Sequence, residues 1–194
     1  MTIEYLKNSK ILFDDNVLNI DTERYYREAE DYFFYFDRTD KAIKLLKKAI
    51  KLTPYHAKSL KFLGDVYFAT GKMKKAFDYY SQAAALKPSD ATIMSSMATV
   101  CDALNDSKNA LAFLDLAFEY LTIEDMRLYA QFCDLKFSLL VKMQKYAEAK
   151  KFLDTVNKRL PVEETGLVAS VNRDILKKKL SLKERMDSLN IKVV

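Results

Sequence analysis

Residues 23–56, ERYYREAEDYFFYFDRTDKAIKLLKKAIKLTPYH, align without a gap on residues 57–90, AKSLKFLGDVYFATGKMKKAFDYYSQAAALKPSD. Tyr26 falls on Leu60, Ala29 on Leu63, Phe33 on Tyr67, Ala42 on Ala76, Leu46 on Tyr80, Ala49 on Ala83 and Pro54 on Pro88, a period of 34 residues. A third copy at 91–124 keeps the pattern through Met94, Met97, Ala98, Cys101, Ala110, Leu114 and Ala117, with Thr122 in place of the closing proline. A period of this size repeats one supersecondary unit, and no such unit buries its apolar face without a neighbour. Within each copy the apolar residues recur every three or four positions, the spacing of one helical face. The pattern breaks at Asp37, Gly71 and Asn105, residue types that suit a left-handed helix end. Each copy therefore predicts two helices joined by a tight turn, and the chain predicts an all-α stack. Only three glycines and three prolines in 194 residues agree with that.

A looser fourth copy follows. KYAEAKKFLDTVNKRLP, 145–161, supplies Ala149, Leu153, Val156 and Pro161 as a second helix, while the first helix, from about 125 to 143, runs some five residues longer than the period allows. In the second copy, large, apolar, small, aromatic, small, aromatic, small and proline positions are filled by Leu60, Leu63, Gly64, Tyr67, Ala76, Tyr80, Ala83 and Pro88. This pattern resembles the tetratricopeptide repeat (TPR), with departures at Glu30 and Phe137, where that family prefers a small residue. The resemblance implies an all-α TPR solenoid of antiparallel helix pairs in a right-handed superhelix, first helices on the concave side. The expected organisation is an N-terminal arm at 1–22, repeats at 23–56, 57–90, 91–124 and 125–163, and a C-terminal capping helix with a basic tail at 164–194.

The arm is apolar at Ile3, Leu6, Ile11, Phe13, Val17, Leu18 and Ile20 and precedes Asp21, a candidate N-cap. It suits a cap on the first repeat, an occupant of the groove, or a segment that orders with a partner. In the tail, Leu167, Val171 and Ile175 form a stripe fit to cover the last repeat, and Ser181 with Glu184 fits a capping box. Of the net charge of +5, residues 170–194 hold +4, which leaves +1 for residues 1–169. A sum so close to neutral gives little support to a nucleic-acid surface spread across the fold, and no nucleic-acid partner is expected. No segment reaches the roughly 20 apolar residues of a membrane span and no signal-peptide core is visible, so a cytoplasmic location is the expectation. Cys101 and Cys133 fall among apolar neighbours in helices and read as buried, reduced thiols.

Chemistry is hard to find. Gly64 and Gly71 with Lys72 invite comparison with a phosphate loop, but six residues separate the glycines where four are needed, and Met73 stands where Ser or Thr would hold a metal. His56 lies at a repeat junction with no evident cysteine or serine partner and reads as a capping or loop residue. No enzyme, cofactor or metal is expected.

A binding groove is the remaining candidate. By resemblance, its lining comes from the first-helix positions between those that pack the core. These are Arg24, Arg27, Asp31, Phe34 and Tyr35 in the first repeat, and Lys58, Lys61, Phe62, Asp65 and Phe68 in the second. The third repeat supplies Ser95, Thr99 and Asp102, beside Thr92 and Ser96. Phe62 and Phe68 are too apolar for an ordinary solvated face and favour a peptide with an apolar anchor. TPR proteins that grip an acidic C-terminal carboxylate place Lys, Asn, Asn, Lys and Arg where this chain has Arg27, Asp31, Phe62, Thr92 and Ser96. Asp31 would repel that carboxylate, so no chaperone binding of that type is expected. The expected function is a non-enzymatic scaffold that binds a protein or peptide segment. The alternative, resting on layout alone, is a small TPR chaperone similar to those of type III secretion translocators. Sequence alone leaves open self-association through the arm or tail.

Overall fold

Apolar residues spaced by three and four, with few helix breakers, produce helices throughout. The computed structural model describes residues 19–121, 126–159 and 181, and among them eight α-helices and no strand. Three hairpins form one compact unit: α1 (Ile20–Phe34) with α2 (Thr39–Leu52), α3 (Ala57–Ala69) with α4 (Met73–Leu86), and α5 (Ala91–Ala103) with α6 (Ser107–Tyr120). α7 (Met126–Lys142) and α8 (Tyr146–Arg159) pair in a second unit that begins at Leu121. The architecture is an all-α helical-repeat solenoid.

In the first unit each second helix packs on its own first helix, and the first two also pack on the first helix of the next copy, α2 on α3 and α4 on α5, while α3 also touches α5. First helices thus share one layer and second helices the other. Alanine makes the close contacts: Ala42, Ala76 and Ala110, and Ala49, Ala83 and Ala117, are all fully buried. Larger residues at the same period, Ala29 aside, fill the space between, with Leu63, Met97, Leu46 and Leu114 also fully buried.

The turns between paired helices share one backbone device. Asp37, Gly71 and Asn105 have φ of 49°, 74° and 62°, and Gln144 in the second unit has 60°. At Gly71 the Lys72 N–H donates to the Tyr67 carbonyl at 2.9 Å and the Gly71 N–H to Phe68 at 2.9 Å, the paired bonds of a Schellman end. The same two bonds recur at Asn105 and Gln144. The end of α1 is wider, with the Arg38 N–H reaching back to the Tyr32 carbonyl at 2.8 Å.

Gln144 fixes the phase of the fourth copy. It lies 39 residues after Asn105, as Ala149 lies 39 after Ala110, so the five extra residues fall before the packing positions of α7. Phe132, Cys133, Phe137 and Leu140 are buried there and Ala149, Leu153 and Val156 answer from α8. Phe137 is accommodated, with 2% of its surface exposed.

One cap differs from expectation. α1 starts at Ile20, and Asn19 is its N-cap, accepting the Asp21 N–H on its side chain at 2.9 Å. Asp21 instead sits in the first turn, where the helix dipole favours a carboxylate, and pairs with Arg24 at 2.9 Å. The arm at 1–18, the Leu167–Ile175 stripe and the tail lie outside the described residues, apart from Ser181, which is helical and therefore not an N-cap.

Candidate functional site

Gly64 marks the close approach of α4 to α3. A Cβ at that position would lie 2.5 Å from Tyr80 Cε1 and 2.6 Å from Cδ1, so the missing side chain is what lets the Tyr80 ring cross α3. At the equivalent positions the first and third copies carry Glu30 with Leu46 and Ala98 with Leu114, a larger residue than glycine with a smaller one than tyrosine. Having crossed, Tyr80 donates its hydroxyl to Asp65 Oδ1 at 2.7 Å. Asp65 also accepts from Lys61 Nζ, at 3.0 Å on Oδ2 and 3.3 Å on Oδ1. Ser96 of the next repeat reaches the Tyr80 oxygen as well. Burial, then the neighbouring Asp65 carboxylate, hold the Tyr80 hydroxyl well above the usual phenol range. Lys61 and Asp65, two of the expected groove residues, are thus brought together and tied to α4.

The aromatic residues form a second cluster at the junction of α1 and α3. Phe62 meets Tyr26 and Phe33 edge-on, each with ring centroids at 5.8 Å, and Phe34 stacks on it at 5.7 Å with 16° between planes. Phe62 is 4% exposed, which corrects its reading as an open anchor: the ring seals the inter-repeat contact. What faces solvent is the layer above it. Phe34, Tyr35 and Phe36 are 64%, 80% and 63% exposed, three consecutive aromatics at the end of α1. Burial, then the hydrogen bond to Glu30, raise the Tyr26 hydroxyl above the usual phenol range.

The remaining expected residues do not converge. Arg24 and Arg27 are exposed and occupied within α1, by Asp21 at 2.9 Å and by Glu23 at 3.0 Å. Asp31 and Lys58 are exposed and Phe68 is half-buried. Thr99 donates its hydroxyl to the Ser95 carbonyl at 2.9 Å, so it offers a ligand only acceptor lone pairs. Ser95 and Asp102 are half-buried on the same helix. Sequence reasoning passed over Tyr80 and Phe36. The pairing of Gly64, a glycine inside a helical pattern, with an aromatic at the facing position was the available signal for the first.

His56 needs correction too. It has a serine partner, Ser59, whose Oγ lies 2.7 Å from Nδ1. His56 is the N-cap residue of α3 and Ser59 follows three residues later, the spacing at which a side chain reaches back across a helix start. Both are buried and the imidazole lies edge-on to Tyr26 at 5.8 Å, so the pair is closed to a substrate and serves the junction. Cys101 and Cys133 are buried, and burial with nearby Asp106 pushes the Cys101 thiol up to about 11. Among the described residues there is no group of three or more His, Cys, Asp or Glu able to hold a metal, and no helix long and apolar enough to cross a membrane.

Residues 57–90 match the family model of the tetratricopeptide repeat. Solved structures agree in fold. A tetratricopeptide repeat protein from Parabacteroides merdae superposes with a TM-score of 0.66 at 19% identity over 82% of this chain, which spans 60% of that protein's length. MamA gives 0.63 at 18% identity over 90% of this chain and 98% of its own. The Yersinia enterocolitica type III secretion chaperone SycD, solved with a peptide of the translocator YopD, gives 0.60 at 20% identity over 66% of this chain and 99% of its own. No curated protein matches the sequence.

Proposed function

We propose that this chain, a tetratricopeptide-repeat protein, is a non-enzymatic scaffold that holds a protein segment along the face of its first helices. The observation that carries the reading is the exposed aromatic run Phe34, Tyr35 and Phe36, in which Phe34 stacks on buried Phe62 and Phe36 lies against Tyr32. Three adjacent large aromatics in water cost solvation free energy that a partner's apolar side chain recovers, and aromatic residues on a rigid base are the usual anchors of interfaces. The Lys61–Asp65 pair and the lone pairs of Thr99 supply polar contacts farther along the same layer.

Capture of partners from the native cell tests this. Replacing Phe34 and Tyr35 together by Ser should abolish capture while helical circular dichroism and cooperative melting are kept, with only a small fall in melting temperature, because both side chains are mostly in solvent and Phe34 gives up its stacking on Phe62. Capture that survives the double substitution would show that the face is wrongly assigned. Phe62→Ala is unsuitable for the purpose: it empties a buried aromatic site and should cost about 3–5 kcal/mol of stability.

A second reading is favoured by the likeness to SycD, which runs along nearly all of that protein. On it, the chain is a chaperone for one aggregation-prone client. Co-expression separates the two: a chaperone keeps its captured partner soluble, whereas a scaffold's partner is soluble without it.

A further inference from the structure

The near-neutral sum of residues 1–169 conceals a separation of charge between the two helices of the first repeat. α1 carries Asp21, Glu23, Glu28, Glu30 and Asp31 against Arg24 and Arg27. α2, packed behind it, carries Lys41, Lys44, Lys47, Lys48 and Lys51 against Asp40 alone, and Asp40 is engaged by Arg38 at 3.5 Å. The next second helix is entered through Lys72, Lys74 and Lys75, with Asp78 following. Among the described residues no ion pair joins any of these eight lysines to a carboxylate.

Ala42, Leu46 and Ala49 point α2 into the core, so Lys44, Lys47, Lys48 and Lys51 stand exposed on its opposite face. Several ammoniums are positioned over rings: Lys48 lies 5.5 Å from the Tyr25 centroid, and Lys75 5.6 Å from Tyr67, which stacks on Tyr79. Like charges three and four residues apart on a helix repel, and an ordinary solvated face relieves this by alternating sign. This face does not.

We propose that the second-helix layer of the first two repeats is a docking surface for an acidic protein segment, a run of Asp and Glu side chains. The patch suits a short anion better than an extended one. α1 lies against α2 with its five acids, and residues 88–106 beyond α4 hold Asp90, Asp102 and Asp106 with no Lys or Arg. With charges screened over about 8 Å at physiological salt, a ligand confined to the patch feels the lysines, whereas a duplex or a bilayer reaching past it meets carboxylates. The residue type agrees. All eight cations are Lys, hydrated point charges that pair with mobile carboxylates, and none offers the bidentate fork by which Arg recognises phosphate. The surface lies on the opposite layer from the first-helix face, and its occupancy does not depend on that reading.

Fluorescence anisotropy of a labelled oligoglutamate peptide, as long as α2, on the full chain tests the proposal. Lys44→Glu, Lys47→Glu and Lys48→Glu together should weaken binding about tenfold or more. The corresponding Gln substitutions, which add no acid, should weaken it less, and both sets should retain the helical circular dichroism of the parent. Lys177→Glu, Lys178→Glu and Lys179→Glu in the tail, and Phe34→Ser with Tyr35→Ser, should leave the affinity nearly unchanged. The proposal is overturned if the α2 variants bind like the parent, or if the tail variant alone takes the loss. It is equally overturned if a single-stranded oligonucleotide of equal charge, or phosphatidylserine vesicles, bind through the same lysines more tightly than the peptide.

Discussion

Gly64 and Tyr80 act as one unit. Glycine inside a helix costs about 1 kcal/mol relative to alanine, and here the cost admits a ring that would otherwise collide with a Cβ at 2.5 Å. Gly64→Ala should therefore destabilise the chain by about 1 kcal/mol net, the overpacking outweighing the gain in helix propensity. With Tyr80 replaced by Leu, the same substitution should be neutral or stabilising, and a double-mutant cycle in urea reads that change of sign. Tyr80→Phe should cost about 1–2 kcal/mol at neutral pH by removing the bond to Asp65. The folded pKa of Tyr80 is raised above its ordinary value of 10.0, so its contribution is complete below pH 10.0 and is lost as pH climbs above it, when the unfolded phenol ionises first. The urea midpoints of the parent and Tyr80→Phe should accordingly converge in alkali; midpoints that stay equally separated would refute the linkage.

The helix hairpin is set by its turn. Gly71 at φ 74° has open space around it, so a side chain there meets no neighbour and pays only for the left-handed backbone. Gly71→Ala should cost about 1 kcal/mol, and Gln144→Gly, at φ 60°, should recover about 0.5–1 kcal/mol, both read as thermal shifts. Asp37, Gly71 and Asn105 were legible beforehand because their residue types announce such a conformation. Gln144 was not, since glutamine carries no such preference and its position is imposed by the helices on either side. The same holds for Phe62. Its place on α3 made it look exposed, and its burial follows from Tyr26, Phe33 and Phe34 of the preceding repeat, a contact between copies that no single-copy pattern encodes.

Residues 19–120 close a core of their own across three hairpins, with Leu46, Leu63, Met97 and Leu114 fully buried inside it. A fragment ending at Tyr120 should therefore keep a cooperative thermal transition and the helical signal of its share of the chain, since repeat arrays draw stability from nearest neighbours. A fragment that melts without cooperativity would show that the second unit is required. The 34-residue period dictated helices, hairpins and their stacking, because each copy exposes an apolar face that only another copy covers, and that much follows from spacing. Which aromatic is sealed and which is left in water, which lysines gather without acids, and which carboxylate Tyr80 reaches depend on side chains from different helices. Such pairings exist only once the layers have packed, since distance in space and not separation along the chain sets the strength of every contact involved.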